Sequence, residues 1–248
     1  MKSITSLQND EIKEIVKLHD NRGRQKAQWF IAEGFRTINT LKTAKTELVQ
    51  LYVTESMLAQ AQKIASDNYI TLVSDQVLKK ISPSVSPSGL LAIFKIPQAA
   101  SAHLLSHGIV LAQISDPGNM GTLIRTCAAM NVKTVVIVEG ADSYSPKVIQ
   151  ASAGTIAHVH IFQWTWHELL EHKGKLKLYA LVVQGGKKLE TADSKHALLV
   201  VGNEAQGLPE QWVADCDNTL TIAMPGHTES LNAAVAGSIA LYEIFKQS

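Results

Sequence analysis

Two cysteines in 248 residues, Cys127 and Cys216, are too few for a disulfide framework and lack metal-ligand spacing. No apolar run approaches the roughly 20 residues of a membrane span. The opening stretch MKSITSLQNDEIKEIVK is charged and has no apolar centre, so it does not read as a secretory leader, and a cytoplasmic location is expected. No G-x-G-x-x-G follows a strand-like segment, which removes the ordinary dinucleotide-binding fold. Gly202 and Gly207 have the spacing of a phosphate-binding loop, but Leu208-Pro209 stands where that loop needs Lys followed by Ser or Thr. His103 with His107, and His158 with His160, have no cysteine or carboxylate to complete a ligand set, so no metal is expected. Arginine is almost missing from residues 99–248, where Arg125 stands alone.

What is present describes a folded chain. Hydrophobic residues make up 46% and charged residues 18%, a balance that disordered chains do not have. Charge is uneven along the length. Residues 1–98 hold 13 Lys and Arg against 9 Asp and Glu, and residues 99–248 hold 10 against 13. The basic first part suggests contact with a polyanion.

Apolar runs bounded by turn signals predict strands at Trp29–Ala32, Leu48–Val53, Ile70–Val73 and Leu90–Phe94. Helices are expected at Ile12–Leu18, Phe35–Leu41, Met57–Ala65 and Asp75–Ile81. Ser82–Gly89, rich in Ser and Pro, reads as a loop. After Ile96–Ser106 the alternation strengthens, with strands expected at Ile109–Ile114, Thr134–Val138, His158–Phe162, Leu178–Val183, Leu198–Val201 and Leu220–Ala223. Continuous apolar strands separated by helices imply a parallel sheet covered on both faces. The expected organisation is α/β throughout: a smaller domain over 1–96, a linker over 97–106, and a larger domain over 107–248.

Three segments place polar residues directly after a strand, where ligands bind in α/β folds. They are Asn119-x-Gly121-x-x-x-Arg125, Gly202-Asn203-Glu204-x-x-Gly207 and Ser230-Leu231-Asn232, with Ser230 a candidate N-cap after a Met224–Glu229 loop. In this order they resemble the three motifs of the SpoU (TrmH) family, which transfers a methyl group from S-adenosylmethionine to a ribose 2′-hydroxyl of RNA. The N-terminal part resembles the ribosomal-protein-like RNA-binding domain attached to many such enzymes. The resemblance implies a C-terminal trefoil knot, a homodimer, and ribosomal RNA as substrate, with transfer RNA or a non-catalytic RNA-binding role as alternatives.

It also implies site residues. Arg125, Asn119, Glu204, Ser230 and Asn232 take the catalytic positions. Arg125 is read as a bidentate phosphate clamp that polarises the hydroxyl; a general-base role is the other reading, against which stands the difficulty of deprotonating a guanidinium. Asn119 either orients Arg125 or serves the Asp-Pro-Gly-Asn turn. Cofactor contacts fall on Gly202, Ile222 and Leu231, with Leu181, Val183, Gly185, Val201, Asn203, Met224 and Pro225 nearby. Arg22, Arg24 and Lys26 form a basic loop suited to RNA phosphates.

Overall fold

The computed structural model describes residues 1–226 and 230–246. Its chain forms two compact units, one of Met1–Gln98 with Asp142–Ala157, the other of the remaining residues. The first unit thus takes in a segment, Asp142–Ala157, that a division at residues 97–106 assigns to the second.

The first unit runs β1 (Lys2–Ile4), α1 (Asp10–Lys17), α2 (Asn21–Ala27), β2 (Trp29–Glu33), α3 (Phe35–Thr43), β3 (Leu48–Val53), α4 (Leu58–Ala61), β4 (Ile70–Val73), α5 (Asp75–Ile81) and β5 (Leu90–Lys95). Its mixed sheet has the order β1-β4-β3-β5-β2, with β5 antiparallel to both neighbours. On one face Ile12 and Ile15 of α1 and Val77, Leu78 and Ile81 of α5 pack on Ile31, Tyr52, Leu91 and Ile93. The expected helix at Met57–Ala65 shortens to a 3₁₀ turn and α4. Only Ala61 and Ile64 are buried there, too few to make an apolar stripe.

The expected basic loop is helix α2. Its Gly23 lies against the end of α1, where a Cβ would come within 1.9 Å of the Lys17 carbonyl oxygen. Arg22 and Lys26 are exposed one turn apart, but Arg24 is buried, at 3% exposure. Its Nε and Nη2 donate to Asp142 Oδ2 at 2.8 and 2.6 Å, and its Nη1 donates to the carbonyls of Leu18 and His19. Arg24 is therefore corrected from an RNA contact to a structural group: all of its nitrogens are committed inside the unit. Removing one partner of a buried ion pair leaves the other charge unpaired, so Arg24→Met should lower stability by about 3–5 kcal/mol. Urea unfolding of the two proteins checks this, and a midpoint unchanged at equal slope would refute it.

The second unit begins with β6 (Gly108–Ala112), α6 (Pro117–Ala129) and β7 (Thr134–Val138). The chain then returns to the first unit, where α7 (Pro146–Ala151) packs against β2 and the Tyr144 ring lies 5.3 Å from that of Phe30. It re-enters the second unit as β8 (His160–Trp164), α8 (Trp166–His172), β9 (Lys177–Leu181), β10 (Ala197–Val201), α9 (Glu210–Asp215), β11 (Asn218–Leu220) and α10 (Ala233–Phe245). The sheet order is β11-β9-β10-β6-β7-β8 and every pairing is parallel. Strands β6, β7 and β10 are buried at every residue, as strands covered on both faces are. Among the described residues no helix is long and apolar enough to cross a membrane.

Several strand ends differ from expectation, and β9 stops at Leu181 rather than Val183. β6 stops at Ala112 because Gln113 adopts a left-handed φ of 56°. β8 starts two residues late because Thr155–His158 forms a 3₁₀ turn. β11 ends at Leu220, after which the Thr221 amide donates to the Lys187 carbonyl.

Candidate active site

The carboxyl ends of β6 and β10 lie side by side, and each leads into a loop held by its own side chains. After β6, Asp116 caps α6 by accepting from the Asn119 amide at 2.8 Å, with Pro117 in the first turn. After β10, Asn203 and Gly207 exchange backbone hydrogen bonds at 3.0 Å, closing a tight loop. The Asn203 side chain accepts from the amides of Ala205 and Gln206 and donates to the Gln113 carbonyl at 2.9 Å. The left-handed turn at Gln113 thus ties one loop to the other. Gly202 is required here, since a Cβ would stand 2.6 Å from the Gly207 carbonyl carbon.

A directed relay joins the three sequence motifs. Asn232 Nδ2 donates to Asn119 Oδ1 at 3.0 Å, and Asn119 Nδ2 donates to Glu204 Oε1 at 2.9 Å. An ionised carboxylate only accepts, so Glu204 fixes which way the Asn119 amide faces, and Asn119 fixes that of Asn232. Asn232 Oδ1 accepts from the amides of Ala234 and Val235 and is the N-cap of α10. This corrects the capping role expected of Ser230. The other Glu204 oxygen accepts from Ser115 Oγ at 3.2 Å, and the Asp116 amide reaches Oε1 at 3.3 Å. Burial pushes the Glu204 acid upward. Donation from Asn119, its own amide, Asp116 and Ser115 overcomes this and holds the carboxyl below the usual carboxylate range.

Helix α10 packs on α6 through small residues. A Cβ on Gly237 would come within 2.6 Å of Leu123, and the hydroxyls of Thr126 and Ser238 are 2.9 Å apart. Beside Glu204, between β9, β10 and the start of α10, lies a cavity of about 320 Å³. Leu181, Val183, Val201, Gly202, Asn203, Ile222, Met224 and Leu231 line it, together with Glu204 and Ser230. Gly185 and Pro225 do not line it. Ala205, Gln206, Ala233 and Ala236 also line it, and none of them carries a motif signal. Its leucine and isoleucine walls suit the faces of an adenine ring, and the loop after β10 brings backbone amides and carbonyls close, so these residues fit an adenosyl group.

Arg125 is exposed on α6, six residues beyond Asn119, and does not line the cavity. Among the described residues it has no side-chain hydrogen bond or ion pair. Glu204 holds Asn119 rather than Arg125 among the described residues. His227, Thr228 and Glu229 of the loop before α10 lie outside the described residues.

The chain matches the SpoU rRNA Methylase family over residues 106–242 and an MRM3-like substrate binding domain over residues 9–92. It is 27% identical to the 23S rRNA (guanosine(2553)-2′-O)-methyltransferase RlmP of Bacillus subtilis, over 98% of this chain and 99% of that protein. A solved RNA 2′-O ribose methyltransferase superposes with a TM-score of 0.83 at 30% identity, covering 99% of this chain and 98% of that one. An AdoMet-bound rRNA methyltransferase from Sinorhizobium meliloti superposes with a TM-score of 0.87 at 25% identity, covering 99% and 97%.

Proposed function

Because the chain belongs to the SpoU rRNA methylase family, we propose that it methylates a ribose 2′-hydroxyl of 23S-type ribosomal RNA, with S-adenosylmethionine as methyl donor, in the cytoplasm. The observation that carries the reading is the cavity between β9, β10 and α10, with Glu204 in its lining held through Asn119 to Asn232. Ribosomal RNA is favoured over transfer RNA because the likeness to RlmP spans both units.

The cofactor supplies an electrophilic methyl group. The protein's task is to hold the hydroxyl oxygen in line with it and to ease departure of the hydroxyl proton. Leu181, Ile222 and Leu231 exclude water from the cofactor cavity, and the Gly202–Gly207 loop offers the backbone carbonyls not tied within it. Asn119 and Asn232, each locked in one amide orientation, hold Glu204 of the cavity lining in place. Ser230, at the cavity wall, is available to hydrogen-bond the ribose. Arg125, exposed and without an ion-pair partner among the described residues, clamps a backbone phosphate and polarises the 2′-hydroxyl. On α2, Arg22 and Lys26 remain as RNA-phosphate contacts, without Arg24.

Labelled-methyl transfer to ribosomal and transfer RNA from cells lacking the gene tests this function. Methylation of ribosomal RNA alone supports it. Methylation of transfer RNA alone overturns the substrate, and absence of cofactor binding overturns the enzyme in favour of a non-catalytic RNA-binding role.

The same reading makes the protein a homodimer through α10. Val235, Ile239 and Tyr242 are 48%, 42% and 57% exposed at positions one and two turns apart, an apolar stripe that a second copy covers. Ile239→Asp should weaken self-association by about 100-fold, because it buries an unpaired charge. Sedimentation equilibrium checks this, and a wild-type monomer at micromolar concentration would refute it. The reading also threads the C-terminal segment as a trefoil knot, supported by β11 lying beside β9 while α10 packs on α6. A stable domain fused to the C-terminus should then slow folding, and an unchanged rate would speak against the knot.

A further inference from the structure

We propose that a second cavity, in the first unit between α1 and the sheet, binds an unpaired guanine base of the RNA substrate. The proposal rests on the RNA-modifying function above, but it stands on different residues. Helices α1 and α5 cover one face of the mixed sheet only in part, and a cavity of about 610 Å³ is left beside Ile15. None of its lining residues belongs to the methyl-transfer site, which lies wholly within the second unit.

The floor is aliphatic, from Ile15, Ile70 and Ile93, and Trp29 and Tyr52 supply aromatic walls. Such a lining suits the faces of a flat heterocycle, and unpaired bases are the part of RNA that proteins read by stacking and edge contacts. The polar groups are rich in acceptors. Glu11 is held in place, with Tyr52 Oη donating to its Oε1 at 2.7 Å and Lys2 Nζ pairing with its Oε2. Each oxygen keeps a further lone pair. Gln50 commits its Nε2 to Thr71 Oγ1 at 2.9 Å, which leaves its carbonyl oxygen as an acceptor.

An acceptor-rich site selects a base with a donor edge. Guanine carries adjacent N1–H and N2–H₂ donors, which one carboxylate matches with both oxygens. Uracil and adenine have no such pair. Glu14 and Asp67 join Glu11 in the lining and disfavour phosphate there, so the base enters while its backbone stays outside. The match to a substrate binding domain over residues 9–92 covers most of these residues.

The test uses the full chain labelled with 5-fluorotryptophan, with the Trp29 resonance assigned from Trp29→Phe. GMP, AMP, CMP and UMP are titrated while fluorine spectra are recorded. GMP should move the Trp29 signal at a concentration about ten- to hundredfold lower than the other three, and Glu11→Gln should erase that preference. Gln50→Leu serves if the Glu11 variant does not fold, and should weaken GMP in the same direction. No movement with GMP at about 10 mM overturns the site. So does equal movement with all four nucleotides, or a preference unchanged in the variants. The readout needs no methyl transfer. An inactive enzyme that still prefers GMP would sink the proposed function alone, and an active enzyme without the preference would sink this site alone.

Discussion

Arg125→Ala should lower the rate of methyl transfer by about 10²–10³-fold while leaving S-adenosylmethionine affinity within about twofold of wild type. The first part follows from what a guanidinium does for an RNA hydroxyl. In the proposed role it pairs with the flanking phosphate through two parallel donors and so would fix the ribose, while its charge would favour the oxygen as the proton leaves. No other arginine lies in residues 99–248, so no neighbour of the same chemistry along that stretch replaces it. The second part follows from geometry, since Arg125 does not line the cofactor cavity. Arg125→Lys keeps the charge but not the planar fork, so it should recover only part of the lost rate. Single-turnover transfer with labelled cofactor, beside equilibrium dialysis of the cofactor, separates the two effects. A rate within tenfold of wild type in Arg125→Ala would remove the residue from the mechanism. Equal loss of rate and cofactor affinity would make it a support of the cavity.

The parallel sheet was legible because its strands are short apolar runs with clear punctuation: Thr134–Val138, for instance, forms over the residues that its pattern predicts. Elements with little apolar content were not. Strand β1 is three residues at a sheet edge with only Ile4 buried, and α2 reads as polar all round because its one buried side chain is Arg24. Nothing local in Asp142–Ala157 announces that it joins the first unit. Its partners are distant in sequence: Asp142 pairs with a residue 118 positions earlier, and Tyr144 packs on Phe30. At the candidate site, strand-then-motif order marked where the loops converge, but not how their side chains connect. Asn203 read as a cofactor contact, and its amide is occupied in holding the loop and the Gln113 carbonyl. Ser115 carries no motif signal at all, and its hydroxyl reaches Glu204. Hydrogen-bond direction is set by three-dimensional neighbours, which spacing does not encode.

That direction makes Asn119→Asp the sharpest probe of the relay. The substitution is nearly isosteric, but it places a carboxylate oxygen where an amide nitrogen stood 2.9 Å from Glu204 Oε1. In the wild type Glu204 titrates below the ordinary carboxylate range, so the relay is complete at neutral pH. Its contribution is present above the acid's unfolded pKa and is lost only as pH falls through the lowered folded value. In Asn119→Asp the two carboxylates repel at neutral pH, and the lost charge-assisted hydrogen bond should reduce activity by about 10–100-fold. The repulsion also reverses the sign of the pH effect. Two adjacent carboxyls share one proton, so the pair takes it up at a higher pH than Glu204 alone would, and that proton restores a donor between them. The ratio of mutant to wild-type rate should therefore rise as pH falls from 8 towards about 5. In Asn119→Ala, which has nothing to protonate at that position, the ratio should stay flat. Parallel pH profiles of the three proteins decide the matter. A flat ratio for the aspartate variant would mean that Glu204 does not act through Asn119, and the relay would then be reduced to a means of capping α10.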